Sequence, residues 1–261
     1  MFLSLLLAII PFRAAFCAND GHIDWPASCG IASSVSCQGV TAFWGNPANI
    51  FTEGWSSSVY ANREWGLDEL SSINAALGKD FRWGNIALGG QYFGSSNLYS
   101  ESNLGVAFAR PVYKCNTGIK LSILSVKSGD WSALTPIIGA GIKIPANQAV
   151  DISLWGDNIT FSKLDGNEIP VRGTMGVVFK PTDWARLAFD IYSQSQNSVS
   201  LRFGQEVFIF KTLKLRCGVA FKPTNFHLGL GIKVRDIEFN WAYIGHPELG
   251  GSTQLGIIYE R

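Results

Sequence analysis

Residues 225–259 read NFHLGLGIKVRDIEFNWAYIGHPELGGSTQLGIIY. Their period decides the fold. Phe226, Leu228, Leu230, Ile232 and Val234 alternate with His227, Gly229, Gly231, Lys233 and Arg235. After Asp236, Ile237, Phe239, Trp241 and Tyr243 alternate with Glu238, Asn240 and Ala242. Beyond His246-Pro247-Glu248-Leu249-Gly250-Gly251, Thr253, Leu255, Ile257 and Tyr259 take up the same rhythm. Side chains on a strand point alternately to opposite faces, so each run has one apolar face and one polar or small face. Three such runs in succession make a meander.

The meander continues upstream. Fourteen strand candidates fall near 57–65, 70–80, 83–93, 103–113, 117–127, 133–144, 149–156, 170–180, 183–193, 198–209, 212–222, 225–234, 237–245 and 251–260. The runs near 70–80, 133–144 and 149–156 alternate less cleanly. Tight turns at Phe81-Arg82, Lys114–Asn116, Pro145–Gln148, Pro181-Thr182, Phe210-Lys211 and Arg235-Asp236 are expected on one rim. Longer connections at Gly94–Ser102, Ser128–Ser132, Asp157–Ile169 and His246–Gly250 are expected on the other. Short turns on one rim and longer loops on the other mark an outer-membrane barrel.

Composition agrees. Hydrophobic residues make up 47% of the chain and charged residues only 16%, against about 25% charged in a typical soluble domain. In hydrocarbon every backbone N–H and C=O must be paired within the protein, and a closed sheet has no open edge. The expected fold is therefore all-β, a transmembrane antiparallel barrel of about fourteen strands over residues 57–261. Trp65, Trp83, Tyr92, Tyr113, Trp131, Trp155, Trp184, Tyr192, Trp241 and Tyr259 lie near strand ends and suit interfacial girdles. A soluble β-sandwich alternates too, but its solvent face carries Lys and Glu where this chain places Gly, Ala and Ser.

The apolar run Phe2–Phe12 is too short for a spanning helix. With Ala15 and Cys17 at −3 and −1 of a cut, residues 1–17 read as a cleaved signal peptide directing export to the outer membrane. A lipobox ending at Cys17 would need a small residue where Phe16 stands. Residues 18–56, with little alternation and the turn Asn46-Pro47-Ala48, read as an N-terminal arm or a plug inside the barrel. Cys29 and Cys37 are close enough in sequence to form a disulfide; Cys115 and Cys217 sit on strands.

No chemistry-bearing constellation emerges. A net charge of +1 gives no electrostatic case for nucleic acid. His22, His227 and His246 form no zinc pattern with the cysteines, and no cofactor is expected. His227 has no serine elbow or carboxylate partner in sequence, so no enzyme is expected and it reads as a lumen residue. Gly139/Gly141 and Gly229/Gly231 sit inside strands and read as room on a crowded inner wall. Lys120, Arg172, Arg186, Asp190, Arg202, Lys214, Arg216 and Glu238 fall on the inward parity, where burial requires pairing.

Three stretches carry a family resemblance. Gly45-Asn46-Pro47-Ala48-Asn49 resembles the "NPA" segment near the start of PorV/PorQ-type, FadL-like outer-membrane proteins. Phe239–Tyr243 with His246-Pro247-Glu248-Leu249-Gly250 resembles that family's final hairpin, Tyr243, His246, Pro247, Leu249 and Gly250 being the motif positions. Gly204-Gln205-Glu206 followed by Arg216, Gly218 and Phe221-Lys222-Pro223 is similar to its "G-x-E … R-x-G" stretch. The resemblance implies a fourteen-stranded barrel working in protein export or surface assembly, with type IX secretion proteins or exported cargo as partners beside outer-membrane lipid. Two other functions stay open. A FadL-like channel for hydrophobic small molecules predicts a continuous apolar path from rim to wall and a gap in a strand near the plug. A soluble exported β-sandwich used for binding predicts release from membranes in carbonate.

Overall fold

The computed structural model describes residues 37–95, 98–195 and 199–261. The signal-peptide reading and Cys29 lie outside them. Sixteen strands follow in chain order. They are β1 (Trp55–Arg63), β2 (Ser71–Phe81), β3 (Gly84–Ser95), β4 (Tyr99–Val112), β5 (Cys115–Ser128), β6 (Trp131–Pro145), β7 (Val150–Asp157), β8 (Lys163–Leu164), β9 (Asn167–Glu168), β10 (Arg172–Thr182), β11 (Ala185–Gln194), β12 (Ser200–Ile209), β13 (Leu213–Phe221), β14 (Asn225–Val234), β15 (Ile237–His246) and β16 (Gly250–Glu260). β8 and β9 form a separate hairpin, and the other fourteen make a closed antiparallel barrel. β16 closes it against β1 in the register Ser56↔Glu260 to Arg63↔Thr253. Among the described residues no helix is long and apolar enough to cross a membrane.

Parity sets the two surfaces. On β4, Leu104 is 65% exposed on the outside while its neighbour Asn103 is 7% exposed on the inside. The outer surface is a continuous apolar band, with Ile73, Leu88, Leu121, Leu154, Leu187, Phe239 and Leu255 among its exposed residues. Such a surface is a liability in water and a match for hydrocarbon. At the turn rim, Trp83 stacks on Phe81 with ring centroids 5.4 Å apart. Lys79 Nζ lies 4.5 Å from the Trp55 ring centre beside them.

Three girdle assignments are corrected. Trp131, Trp155 and Tyr192 fall on the inward parity of β6, β7 and β11, in phase with the buried Ile137, Asp157 and Asp190. Being near a strand end does not make an aromatic a girdle residue when parity turns it inward. The rim asymmetry is also milder than expected. The β5–β6 connection is the tight turn Gly129-Asp130, and the one long connection runs over 158–171 and contains β8 and β9. The wall begins at Trp55 rather than at residue 57.

The chain enters the barrel from the turn rim. Residues 39–50 are buried and make 3-10 turns at Gly39–Trp44 and Pro47–Asn49. Gly54 is the joint between this inner segment and β1. Its φ is +74°, and a Cβ there would sit 2.2 Å from the Arg261 carbonyl oxygen, so only glycine fits without strain. Trp55 and Arg261 exchange backbone hydrogen bonds of 2.9 Å beside it.

Candidate functional site

The inner segment is built against glycines. The Asn46 side chain accepts from the Ala48 N–H at 2.9 Å, closing its own turn. Its amide nitrogen donates to Ser153 Oγ at 2.6 Å and to the Ile142 carbonyl at 3.3 Å, tying the turn to β6 and β7. Pro47 and Ala48 are buried beside it. A Cβ at Gly141 would meet Asn46, one at Gly118 would meet the Pro47 and Ala48 backbone, and one at Gly89 the Phe43 ring. Val40, Phe43, Trp44 and Ile50 pack with Cys37 on the inward alanines Ala76, Ala87, Ala107 and Ala109. Small wall residues therefore make one arc of the lumen, from β2 to β6, into a seat for residues 37–50.

Further toward the loop rim, beyond the buried Lys120 and Ser122, the inner face of β5 and β6 turns apolar again. Leu124 and Val126 of β5 and Ile137 of β6 form a cluster with Leu164 and Ile169 from the long connection, flanked by Tyr99 and Ala133. The connection turns back into the barrel mouth at Asn158. That side chain donates to the Ile169 carbonyl at 2.9 Å and accepts from the Ser162 N–H at 2.8 Å. Trp131 Nε1 donates to Asp165 Oδ2 at 3.1 Å across the top. The wall itself steps down here. β6 is fifteen residues long and β7 eight, and they pair only from Ala140↔Gly156 to Pro145↔Asp151. Beyond that, Ile159 N–H donates to the Ile138 carbonyl at 3.0 Å. By contrast, the registers from β1 through β6 around the inner segment run without a shift. The interruption of pairing beside the inner segment is therefore at β6–β7, where the ladder stops two residues from Ile142, an anchor of Asn46. On its loop side the same break lies under the hairpin.

The opposite arc is ionic. Glu206 accepts from Arg216 Nε at 2.7 Å and pairs with Arg186 at 3.4 Å. Glu238 joins Arg216 at 3.2 Å and Lys214 at 2.6 Å, and Arg216 also donates to Asn240 at 2.8 Å. This ladder brings together Arg186, Lys214, Arg216 and Glu238 from the inward parity. Asp190 stands across from Arg202 in register, and the Arg202 guanidinium lies 3.9 Å from the Tyr192 ring centre. His227 is buried on β14 opposite Gly218. A second group, Asp157 with Lys120 and Arg172, joins β5, β7 and β10. A third pairs Asp151 with Lys143 at 3.3 Å and Lys180 at 2.7 Å.

Sequence reasoning missed both aspartates and the inward hairpin. Asp157 sits at the strand–loop boundary, where parity cannot be read. The hairpin had a signal that was not used, Asp165-Gly166 between Leu164 and Asn167, the residue pair of a tight two-residue turn. At the final hairpin, Tyr243 lies on the outer face and Leu249 is exposed in the turn with Pro247 and Gly250. His246 Nδ1 accepts from the Glu248 and Leu249 N–H groups at 3.2 and 3.1 Å. Its role there is to cap a turn. Among the described residues no three His, Cys, Asp or Glu side chains are grouped to hold a metal.

No protein-family model matches the chain, and no curated protein matches it in sequence. Solved structures do match in fold. The Pseudomonas putida toluene transporter TodX is similar over 91% of this chain and 96% of its own, with a TM-score of 0.64 at 11% identity. A Pseudomonas aeruginosa FadL homologue covers 91% and 97%, with a TM-score of 0.63 at 10% identity. The Ralstonia pickettii toluene transporter TbuX covers 88% and 96%, with a TM-score of 0.59 at 11% identity. The chain has the closed fourteen-strand barrel of FadL-like outer-membrane proteins.

Proposed function

We propose that this chain sits in an outer membrane and passes hydrophobic small molecules across it, without chemistry. The carrying observation is the apolar inner arc. It consists of two patches, the seat of residues 37–50 and the cluster at Leu124, Val126 and Ile137, with the buried Lys120 and Ser122 of β5 between them, and the second patch ends where the wall steps down at β6–β7. An apolar solute needs such a lining, because each stretch of polar wall would leave unpaired groups facing it. The fold neighbours described as toluene transporters support the same reading. In it, the described residues 37–54 belong to the plug, with Asn46, Pro47 and Ala48 its anchor, and the 158–171 connection is the cover of the outer mouth. The ionic arc holds the barrel's shape.

The secretion role implied by the terminal motifs has no counterpart among these neighbours, and the short rim connections offer little docking surface. The channel reading therefore stands ahead of it.

The test is a tether. Ile137→Cys on β6 and Leu164→Cys on β8, placed in one apolar cluster, would fix the hairpin to the wall when oxidised. Uptake of a labelled alkylbenzene by cells carrying the oxidised variant should fall severalfold and return on reduction. Uptake indifferent to the tether would contradict the route.

A further inference from the structure

Beside the apolar cluster the inner wall carries a belt of uncharged hydrogen-bonding groups. Two register rows build it. One runs Gln254–Asn62–Ser72 across β16, β1 and β2. The next runs Asn74–Gln91–Asn103 across β2, β3 and β4, and continues directly into Leu124 of β5. Groups opposite one another in an antiparallel pair stand about 5 Å apart at Cβ, so each row is a contiguous surface. Asn62 is 9% exposed, Ser72 3%, Asn74 5% and Gln254 5%. Asn62 Oδ1, Ser72 Oγ, Asn74 Oδ1 and Gln254 Oε1 are buried without a hydrogen-bond partner. Buried polar atoms are nearly always paired, so a cluster of unpaired ones aimed into a lumen marks a place where a ligand supplies the partners.

The geometry points to a binding site for amphiphiles with a neutral, hydrogen-bonding head. The head lies on the amide belt and the tail lies against Leu124, Val126 and Ile137. This inference rests on the channel reading and narrows its substrate class. A carboxylate head is disfavoured on two grounds. The lumen cations nearest the apolar arc, Lys120 and Arg172, are already held by Asp157. The charged group that borders the belt is itself an acid: Glu101, one register step from Phe93 and Val126, accepting from Tyr99 OH at 2.6 Å. Amides and hydroxyls offer both donors and acceptors and match a primary amide or an alcohol.

The experiment is equilibrium binding to the full barrel in lipid nanodiscs, using medium-chain probes of one length: a primary amide, an alcohol, a carboxylate and an alkylammonium. The amide and alcohol should bind about tenfold or more tightly than the carboxylate, the scale of one or two hydrogen bonds to buried groups. The paired substitution Asn62→Leu with Asn74→Leu should remove that preference. Asn74→Asp, closer in shape and so kinder to folding, should shift it toward the alkylammonium. Heat-modifiable gel migration confirms that each variant is a closed barrel. A preference for the carboxylate, or for the alkylammonium in the unchanged protein, overturns the neutral head and leaves the channel standing. Unchanged selectivity in both variants does the same. Alkylbenzene uptake no faster than in cells without the protein overturns the channel itself.

Discussion

Gly141 and Gly118 show how single atoms decide whether the inner segment stays in place. A Cβ at Gly141 would overlap the Asn46 side chain, and one at Gly118 would lie 2.3 Å from the Pro47 carbonyl carbon. Gly173, on β10, has nothing nearer than 3.8 Å. Gly141→Val should therefore push the segment out, cost about 1–3 kcal/mol from overpacking, and raise ion leak in planar bilayers. Gly173→Ala should leave both stability and leak unchanged, as measured by urea unfolding in lipid and by conductance. Arg216 is a second decisive residue. Arg216→Met would leave Glu206 with Arg186 and Glu238 with Lys214 as remaining partners, and the lost charged hydrogen bonds should cost about 1.5–3 kcal/mol. The same unfolding titration reads it, and a loss under about 1 kcal/mol would mean that water already solvates the ladder.

At the scale of elements, the 158–171 connection bears on function most. It makes few ties to the rim, chiefly Trp131 to Asp165 and Ile159 to Ile138. Its own interior is held by Asn158 and by the two-rung β8–β9 pairing. Replacing residues 160–168 with a short Gly/Ser linker should leave the barrel closed and heat-modifiable, and should raise alkylbenzene uptake. Failure to close would show that the hairpin is part of the wall. The same contrast explains what the sequence could reveal. Strands such as β14 and β15 announce themselves because one face must meet lipid while the other meets small or polar groups, and that period runs for ten residues. The inner segment meets protein on nearly all sides, and the short hairpin buries Leu164 and Ile169 beside exposed neighbours, so no period marks either; only local turn chemistry at Asn46-Pro47 and Asp165-Gly166 does. The charged ladder was legible where a long alternating run fixed the parity of both partners, as with Arg216 on β13 and Glu238 on β15. Asp157, the last residue of the short β7 before a long connection, was not, and the unpaired amide oxygens of Asn62 and Asn74 stood out only once register placed Asn62 beside Ser72 and Gln254 and Asn74 beside Gln91.

At the scale of the whole molecule, the outer band requires a hydrocarbon surround. Leu104, near the middle of β4 and largely exposed, should tolerate arginine poorly: Leu104→Arg is expected to cost about 2–4 kcal/mol in a bilayer. Folding yields into lipid vesicles would show it, and an unaffected yield would favour a water-facing surface. In the proposed channel, the ionic arc holds the barrel's shape and the apolar arc carries the solute. The most direct test of that division is the initial uptake rate of a labelled alkylbenzene by Gram-negative cells carrying the protein in their outer membrane, compared with cells lacking it. The account predicts a severalfold faster, saturable uptake. Equal rates, with the protein present in the outer membrane as a heat-modifiable barrel, would contradict it.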